Sequence, residues 1–277
     1  MAVSRAWSRA QGMTARWPRP LVVALDFLNR RGPAAAVRLT RYTGKSKHAV
    51  HPKHLTDAPW HHWYVEHLDR NDFVLDLGCS TAAHAIVAAR SVRGVVAVDY
   101  DGAALATAAA AVRGAGADNV SLLAVDLTGR LPFRDSSFDA VLFLDVIEHL
   151  EPRQQVLAEV ARVLRSDGRL LVSGPNRKTT WRNRLREAGL FAFSDPDHKI
   201  EYSEDEFLDE VRAGGFVPAG PVMPVVYDTA WAGVIDVVGG LSVPAYRRLS
   251  GWKRRAAVRR PGESTGFRLV ARRAGAS

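Results

Sequence analysis

The spacing of hydrophobic and polar positions changes repeatedly along the middle of this 277-residue chain. Short apolar runs alternate with longer segments whose apolar residues recur every three or four positions. The strand-like runs are, in order, FVLDL (73–77), GVVAV (94–98), VSLLAV (120–125), FDAVLFL (138–144), GRLLVSG (168–174) and TGFRLVARR (265–273). Runs of this length predict β-strands, and the periodic segments between them predict helices.

The predicted helices cover about 82–90, 102–113 and 153–164, and one more begins at Ser203 and ends at Gly214. Serine is a common N-cap and glycine a common helix stop. Strands that alternate with helices of this length predict right-handed βαβ units and a mostly parallel sheet. The uninterrupted apolar character of the strands indicates burial on both faces of that sheet.

The charge of the chain is divided unevenly, which changes the picture at both ends. Residues 1–60 carry a net charge of +9, residues 61–240 carry −9, and residues 241–277 carry +9. Basic ends of this kind can bind phosphates of nucleic acid, of an anionic membrane or of a substrate. The single cysteine, Cys79, excludes an internal disulfide and favours a reducing, cytoplasmic location.

The charge pattern and the strand pattern together predict the domain organisation. Residues 1–53 form a basic N-terminal helical segment, residues 54–277 form the α/β domain, and about 224–262 form an insertion before the last strand. Arginines alternate with apolar residues at helical spacing in both basic regions. That pattern predicts peripheral contact with an anionic surface at the inner membrane, or amphipathic helices packed on the core. RNA would use the arginines without needing the apolar face.

The segment VLDLGCSTAAHA (74–85) predicts a ligand-binding turn between the first strand and the first helix. Such turns present unpaired backbone N–H groups, and small residues there let a ligand approach closely. The segment lacks the G-x-G-x-x-G order of dinucleotide enzymes, which disfavours a nicotinamide-dependent oxidoreductase. Its small side chains leave room for a cofactor on the condition that Ser80 and Ala82 hold negative φ.

Four segments in the same order resemble the class I S-adenosylmethionine-dependent methyltransferases, of the type 11 kind. The order Asp-x-Gly-x-small-x-small resembles motif I, and VVAVDYD, AVDLTGRLPFRDSSFDAVLFLDVIEHL and RVLRSDGRLLVSGPN resemble the segments that follow it. The resemblance implies a Rossmann-like α/β fold with helices on both faces, an antiparallel last strand and extra N-terminal helices. It also implies S-adenosylmethionine as cofactor, bound by Asp76, Gly78, Ser80, Asp99, Asp126, Leu127 and Asp145. In this resemblance Asp99 accepts hydrogen bonds from the ribose hydroxyls, and Asp126 contacts the adenine amino group.

The motif DVIEHL after the fourth strand carries the candidate chemistry. Asp145, Glu148 and His149 share one face if the chain turns helically there, and such a set suits Mg²⁺ or Mn²⁺. Together with His198, the motif resembles the metal site of small-RNA 2′-O-methyltransferases. Its D-x-x-E-H part also resembles the E-x-x-E-H of the ubiquinone-pathway O-methyltransferases, with Asp145 in place of the more usual Glu. The resemblance implies that Asp145, Glu148, His149 and His198 hold the metal. Direct acceptor contact or proton transfer by His149, His198 and Glu148 is the alternative.

These observations predict a methyltransferase that uses S-adenosylmethionine and acts on an oxygen of a small-molecule or lipid-linked acceptor. An alcohol or phenol must lose a proton, and the histidine and carboxylate cluster can accept it or lower the pKa of the hydroxyl through a metal. Two alternatives remain: a 2′-O-methyltransferase of RNA ends, and a non-catalytic binding module that keeps the fold.

Overall fold

The computed structural model describes residues 17–46, 50–56 and 59–275. The α-helices are α1 (Arg19–Tyr42), α2 (Ala83–Ala88), α3 (Gly102–Ala115), α4 (Arg153–Val163), α5 (Thr180–Glu187), α6 (Glu204–Ala213), α7 (Ala232–Leu241) and α8 (Val243–Arg259). The strands are β1 (Phe73–Leu77), β2 (Gly94–Asp99), β3 (Val120–Ala124), β4 (Phe138–Leu144), β5 (Leu164–Pro175), β6 (Phe216–Pro218), β7 (Met223–Pro224) and β8 (Gly266–Arg273). Short 3₁₀ segments cover Pro52–Leu55, Pro59–His67, Ile147–His149 and Pro261–Glu263. Within the described ranges, no helix has an apolar stretch long enough to cross a bilayer.

All eight strands form one sheet, in the order β3-β2-β1-β4-β5-β8-β6, with β7 also paired to β8. The pairs among β1 to β5 are parallel, and β8 runs antiparallel to β5. The predicted mostly parallel sheet and its antiparallel last strand are therefore confirmed. Since parallel strands end at the same edge, the residues that follow β1, β2 and β4 come together there.

The central strands of the sheet are buried on both faces, as the apolar runs of β2 and β4 predicted, whereas the edge strand β3 is partly exposed. In β4, Val141 and Phe143 pack in the layer that contains apolar residues of α4 and α6. Ala140 and Leu142, which point the other way, pack in the layer of α2 and α3. Alternate residues of a strand face opposite sides, so each central strand contributes to two cores.

The local helix signals also fold as expected. The side chain of Ser203 accepts a hydrogen bond from the Glu206 N–H, the Glu206 carboxylate accepts from the Ser203 N–H, and α6 ends at Gly214. This reciprocal pair satisfies two of the donors that a helix N-terminus leaves unpaired. Helix α2 begins at Ala83, one residue later than predicted, because Ala82 is left-handed with φ 59°.

The N-terminal helix α1 lies beside α7, which belongs to the predicted insertion. Gly32 and Gly233 meet where the two backbones touch. The Gly233 N–H donates to Asn29 Oδ1 at 2.8 Å, and the Thr43 hydroxyl donates to the Gly240 carbonyl at 3.1 Å. These contacts show that α1 and α7 run parallel to each other. The N-terminal basic segment and the predicted insertion therefore build one helical layer.

The close approach of α1 and α7 gives a stability prediction. A Cβ at Gly233 would overlap the backbone carbonyl of Leu28, and backbone cannot move aside as a side-chain tip can. Gly233→Ala is therefore expected to destabilise the protein by about 1–3 kcal/mol in denaturant unfolding.

Gly114→Ala is the matched control. Gly114 lies in α3, and a Cβ there would meet no atom within 4 Å. This variant is expected to be neutral or to gain up to about 1 kcal/mol, because alanine favours helix. Equal stability of the two variants would show that α1 does not pack on α7 in this way.

Candidate active site

The loop between β1 and α2 has the backbone of a glycine-rich turn although it contains one glycine. Gly78, Ser80 and Ala82 all have positive φ, at 68°, 47° and 59°. The sequence analysis expected negative φ at Ser80 and Ala82 for this loop to leave room for a cofactor, and that expectation is wrong. Left-handed backbone costs a non-glycine residue of the order of 1–2 kcal/mol, and small side chains keep that cost low. The loop thus retains the turn that a closely approaching ligand requires.

Asp99, at the end of β2, holds this loop in place. One carboxylate oxygen accepts from the Ser80 N–H at 2.8 Å and the other from the Asp101 N–H at 3.0 Å. The side chain is buried, and an ionised carboxylate has about four acceptor positions. The predicted contact of Asp99 with ribose hydroxyls would therefore use the remaining lone pairs of an already fixed group.

Asp76 places a second carboxylate beneath the loop. It is 2% exposed, and its Oδ2 has no hydrogen-bond partner. Burial, together with the charge of Asp99, raises the pKa of Asp76 to about 7. A buried carboxylate oxygen without a donor suits a ligand that brings a cation. The ammonium group of S-adenosylmethionine fits this requirement, and so the loop and its two carboxylates fit the predicted cofactor.

The two predicted cofactor residues after β3 point in different directions. Asp126 is exposed and accepts hydrogen bonds from the N–H and hydroxyl of Thr128. Leu127 is 7% exposed and packs in the core. Asp126 is therefore accessible to a ligand at this edge, and its contact with the adenine amino group stays a prediction.

A cavity of about 900 Å³ opens beside the loop, at the carboxyl edge of the sheet. Its wall combines the ends of β4 and β5 with the helical layer, and it includes Pro33, His51, Lys53, His62, His84, Asp145, Ser173, Asp236, Lys253 and Arg268. Ser173 Oγ accepts from the Asp145 N–H and donates to its carboxylate at 2.7 Å. Asp145, with φ 55°, is thereby held at the cavity wall.

Two cations of the cavity wall are held away from bulk water. Burial, with the charge of Arg254, lowers the pKa of Arg268 to about 10, and burial lowers the pKa of Lys253. The Arg268 guanidinium lies 5.9 Å from the centre of the Trp63 ring. Buried cations favour ligands that bring oxygen lone pairs or negative charge. Neither residue stood out in the sequence, because their proximity depends on β8 returning beside β5.

A tyrosine joins two histidines of the cavity wall. The Tyr64 hydroxyl lies 3.3 Å from His62 Nδ1 and 3.2 Å from His84 Nδ1. Burial lowers the pKa of His84 to about 4, so this imidazole is neutral at physiological pH and can accept a proton. The sequence analysis overlooked His84. Its position at the start of a helix that follows β1 was the available signal, since that site faces the carboxyl edge.

The predicted metal-binding residues separate into two groups. Ligand atoms of Glu148, His149 and His198 all lie within 4.8 Å of one another, and the two imidazole centres are 4.7 Å apart. Asp145 is not in this group, because its positive φ precedes the 3₁₀ turn Ile147–His149 and its carboxylate is bonded to Ser173. The prediction that a helical turn brings Asp145 onto the same face as Glu148 and His149 is therefore wrong.

The remaining three side chains fit a divalent cation. Glu148 is 2% exposed with Oε2 unpartnered, and His198 Nδ1 lies 3.0 Å from Glu201 Oε1, which leaves Nε2 towards Glu148. A carboxylate behind the ligating histidine is a common feature of metal sites. One carboxylate and two imidazoles suit Mn²⁺ better than Mg²⁺, which prefers oxygen ligands. Among the described residues, none of these three lines the cavity.

Comparisons with known proteins agree with this geometry. Residues 75–172 match the family described as a methyltransferase domain. A probable S-adenosylmethionine-dependent methyltransferase of Mycobacterium tuberculosis is 38% identical over 144 residues, which cover 52% of this chain and 48% of that protein. A demethylmenaquinone methyltransferase of the same species is 39% identical over 99 residues, covering 36% and 39%. The chain thus spans about half, or less, of the length of these relatives.

The fold comparison extends beyond the matched segment. A methyltransferase from Aquifex aeolicus that depends on S-adenosylmethionine superimposes with a TM-score of 0.53 at 17% identity, over 79% of this chain and 95% of that chain. At this identity the likeness concerns the fold alone. Residues 75–172 are thus similar in sequence to methyltransferase domains, and most of the chain shares the Rossmann-like fold of the Aquifex aeolicus structure.

The pKa of Asp76 allows a pH-dependent test of the proposed cofactor site at the loop between β1 and α2. Its raised pKa means that the folded protein binds a proton more tightly than the unfolded chain, so stability falls as pH rises from about 4 through about 7. Asn cannot ionise. Asp76→Asn is expected to stabilise the cofactor-free protein at pH 8, by up to ~4 kcal/mol, and to leave it unchanged at pH 4.

The same variant should bind S-adenosylhomocysteine more weakly, because the cationic amino group loses its carboxylate. Melting temperatures at the two pH values and a calorimetric titration measure both effects. Asp209→Ala, an exposed residue of α6, is the control. Unchanged affinity in Asp76→Asn would remove Asp76 from the cofactor site.

Proposed function

We propose that this protein transfers the methyl group of S-adenosylmethionine to a hydroxyl oxygen of a small-molecule or lipid-linked acceptor. The observation that carries the proposal is the cavity at the carboxyl edge, which adjoins the motif I loop through Ala83 and His84. Ligands of open α/β sheets bind at this edge. The matched family and the two mycobacterial methyltransferases support the choice of donor.

The cavity chemistry favours an oxygen acceptor. Bound S-adenosylmethionine supplies an electrophilic methyl group for in-line displacement, so the protein must align the acceptor and remove one proton. Neutral His84 can accept that proton directly, with the Tyr64 hydroxyl and His62 to carry it onward. Arg268 and Lys253 favour an acceptor that carries oxygen or anionic groups. The demethylmenaquinone methyltransferase acts, by its name, on demethylmenaquinone, which supports testing quinols among the acceptors.

Transfer of a labelled methyl group from S-adenosylmethionine tests the function and the role of His84. A panel of quinols, phenols and sugar hydroxyls is compared with amines and with RNA oligonucleotides. His84→Ala is expected to slow transfer about 10²-fold or more, the usual loss for a proton acceptor, with affinity for S-adenosylhomocysteine nearly unchanged. Because the pKa of His84 is about 4, wild-type activity should not fall as pH drops through 6.5.

His67→Ala is the matched control, because His67 lies in the 3₁₀ segment that carries His62 and Tyr64 but outside the cavity wall. Wild-type transfer rates in His84→Ala would contradict the proposed proton acceptor, and His149, His198 and Glu148 would then be the next variants. Transfer to RNA alone would favour the RNA-end alternative. Cofactor binding without transfer to any compound class would favour a binding module.

We further propose that Glu148, His149 and His198 hold one divalent cation, and that they bind Mn²⁺ more tightly than Mg²⁺. It would link the turn after β4 to the segment that contains His198. Calorimetric titration with Mn²⁺ is expected to show a site that His198→Ala abolishes and His67→Ala preserves. Absence of binding to the wild type, or unchanged binding to His198→Ala, would refute this metal site.

A further inference from the structure

The helical layer formed by α1 and α7 exposes large apolar side chains on its outer side. We call this surface the outer face, and its apolar members are Leu21, Phe27, Leu28, Trp231, Val234 and Leu241. Phe27 is 57% exposed and Trp231 is 52% exposed, whereas Val22 and Leu25, on the inner side of α1, are almost fully buried. All six side chains are exposed, and they belong to two helices that run side by side.

The same surface is cationic. Arg31 and Arg38 are two turns apart, so they lie on one side of α1, and both are exposed. The Arg31 guanidinium lies 5.3 Å from the centre of the Phe27 ring, which places charge directly beside the apolar group. Within α1 and α7 the only carboxylates are those of Asp26 and Asp236.

Neither carboxylate neutralises the outer face. Asp26 accepts from the Arg30 guanidinium at 2.8 Å. Asp236 lies 3.4 Å from His51 and lines the cavity on the inner side. The outer face therefore combines exposed apolar area with positive charge and offers no acidic partner for it.

The combination of exposed apolar area and positive charge favours one kind of partner for the outer face over others. A second copy of the chain would bring arginines against arginines, with no carboxylate on the face to pair with them. RNA would bind the arginines but would gain nothing from burying Phe27 and Trp231. Binding to an anionic lipid surface is favoured by both the apolar side chains and the arginines. The aromatic and aliphatic groups enter the interface, and the arginines bind the phosphates.

We propose that the outer face docks on an anionic phospholipid membrane, with α1 and α7 lying in the plane of the interface. The inner side of the same layer forms part of the cavity wall, through Pro33 and Asp236. Docking would therefore set the cavity immediately behind the membrane-bound helices. A lipid-linked acceptor would then reach the cavity from the bilayer, a consequence that rests on the proposed function, whereas docking itself does not.

Co-sedimentation with vesicles tests the docking. The full chain is expected to pellet with phosphatidylcholine vesicles that contain phosphatidylglycerol and to stay in solution with pure phosphatidylcholine. Binding should weaken as salt is raised, because surface charges are screened within about 10 Å at 0.1 M salt. The full-length protein is used throughout, with the melting temperature as a measure of folding that does not depend on the proposed function.

Two double variants separate the apolar and ionic contributions. Phe27→Ser with Trp231→Ser, and Arg31→Gln with Arg38→Gln, are each expected to weaken vesicle binding about tenfold or more. Val217→Ser with Arg212→Gln is the control, because these exposed residues lie at the β6 edge and on α6. All three should bind S-adenosylhomocysteine as the wild type does.

Several results would overturn the proposal. Equal pelleting with both vesicle types, or with neither, excludes an anionic membrane, and so does wild-type binding by Phe27→Ser with Trp231→Ser. A dimer in light scattering that this variant dissociates would make the outer face a subunit interface. RNA binding lost only in the arginine variant would assign the face to nucleic acid. Vesicle binding without any S-adenosylhomocysteine binding would leave docking intact and refute the proposed function instead.

Discussion

The hydrogen bond from the Ser80 N–H to the Asp99 carboxylate is the contact on which the site depends. It ties the turn after β1 to the end of β2 and fixes Ser80 and Ala82 in left-handed backbone. The strain of these two residues is balanced by a buried charge-assisted bond and by the packing of Ala82 in the core. Because helix α2 begins directly after this turn, the same contact places His84 at the cavity wall.

The second constraint is the glycine contact between α1 and α7, which joins the N-terminal segment to the predicted insertion. It converts segments that are far apart in sequence into one layer, and that layer has two different sides. The inner side contributes Pro33 and Asp236 to the cavity wall, and the outer side carries apolar residues and arginines. A single packing contact therefore links the enclosure of the proposed acceptor to the proposed membrane surface.

Much of the fold could be predicted from the sequence because its signals are local. The strands and the Ser203 to Gly214 helix follow from hydrophobic period and capping, and the position of Asp99 follows from the end of its strand. The left-handed backbone at Ser80 and Ala82 could not be predicted, since glycine is the usual marker for it. The separation of Asp145 from Glu148 and His149 depends on one backbone angle and on Ser173, a residue of another strand.

The central claim is that this loop, with a single glycine, binds S-adenosylmethionine. Calorimetric titration of the wild-type chain with S-adenosylhomocysteine, and in parallel with NAD, tests that claim most directly. We expect saturable binding of S-adenosylhomocysteine at one site and none of NAD. Binding of neither compound, or binding of NAD alone, would contradict the account.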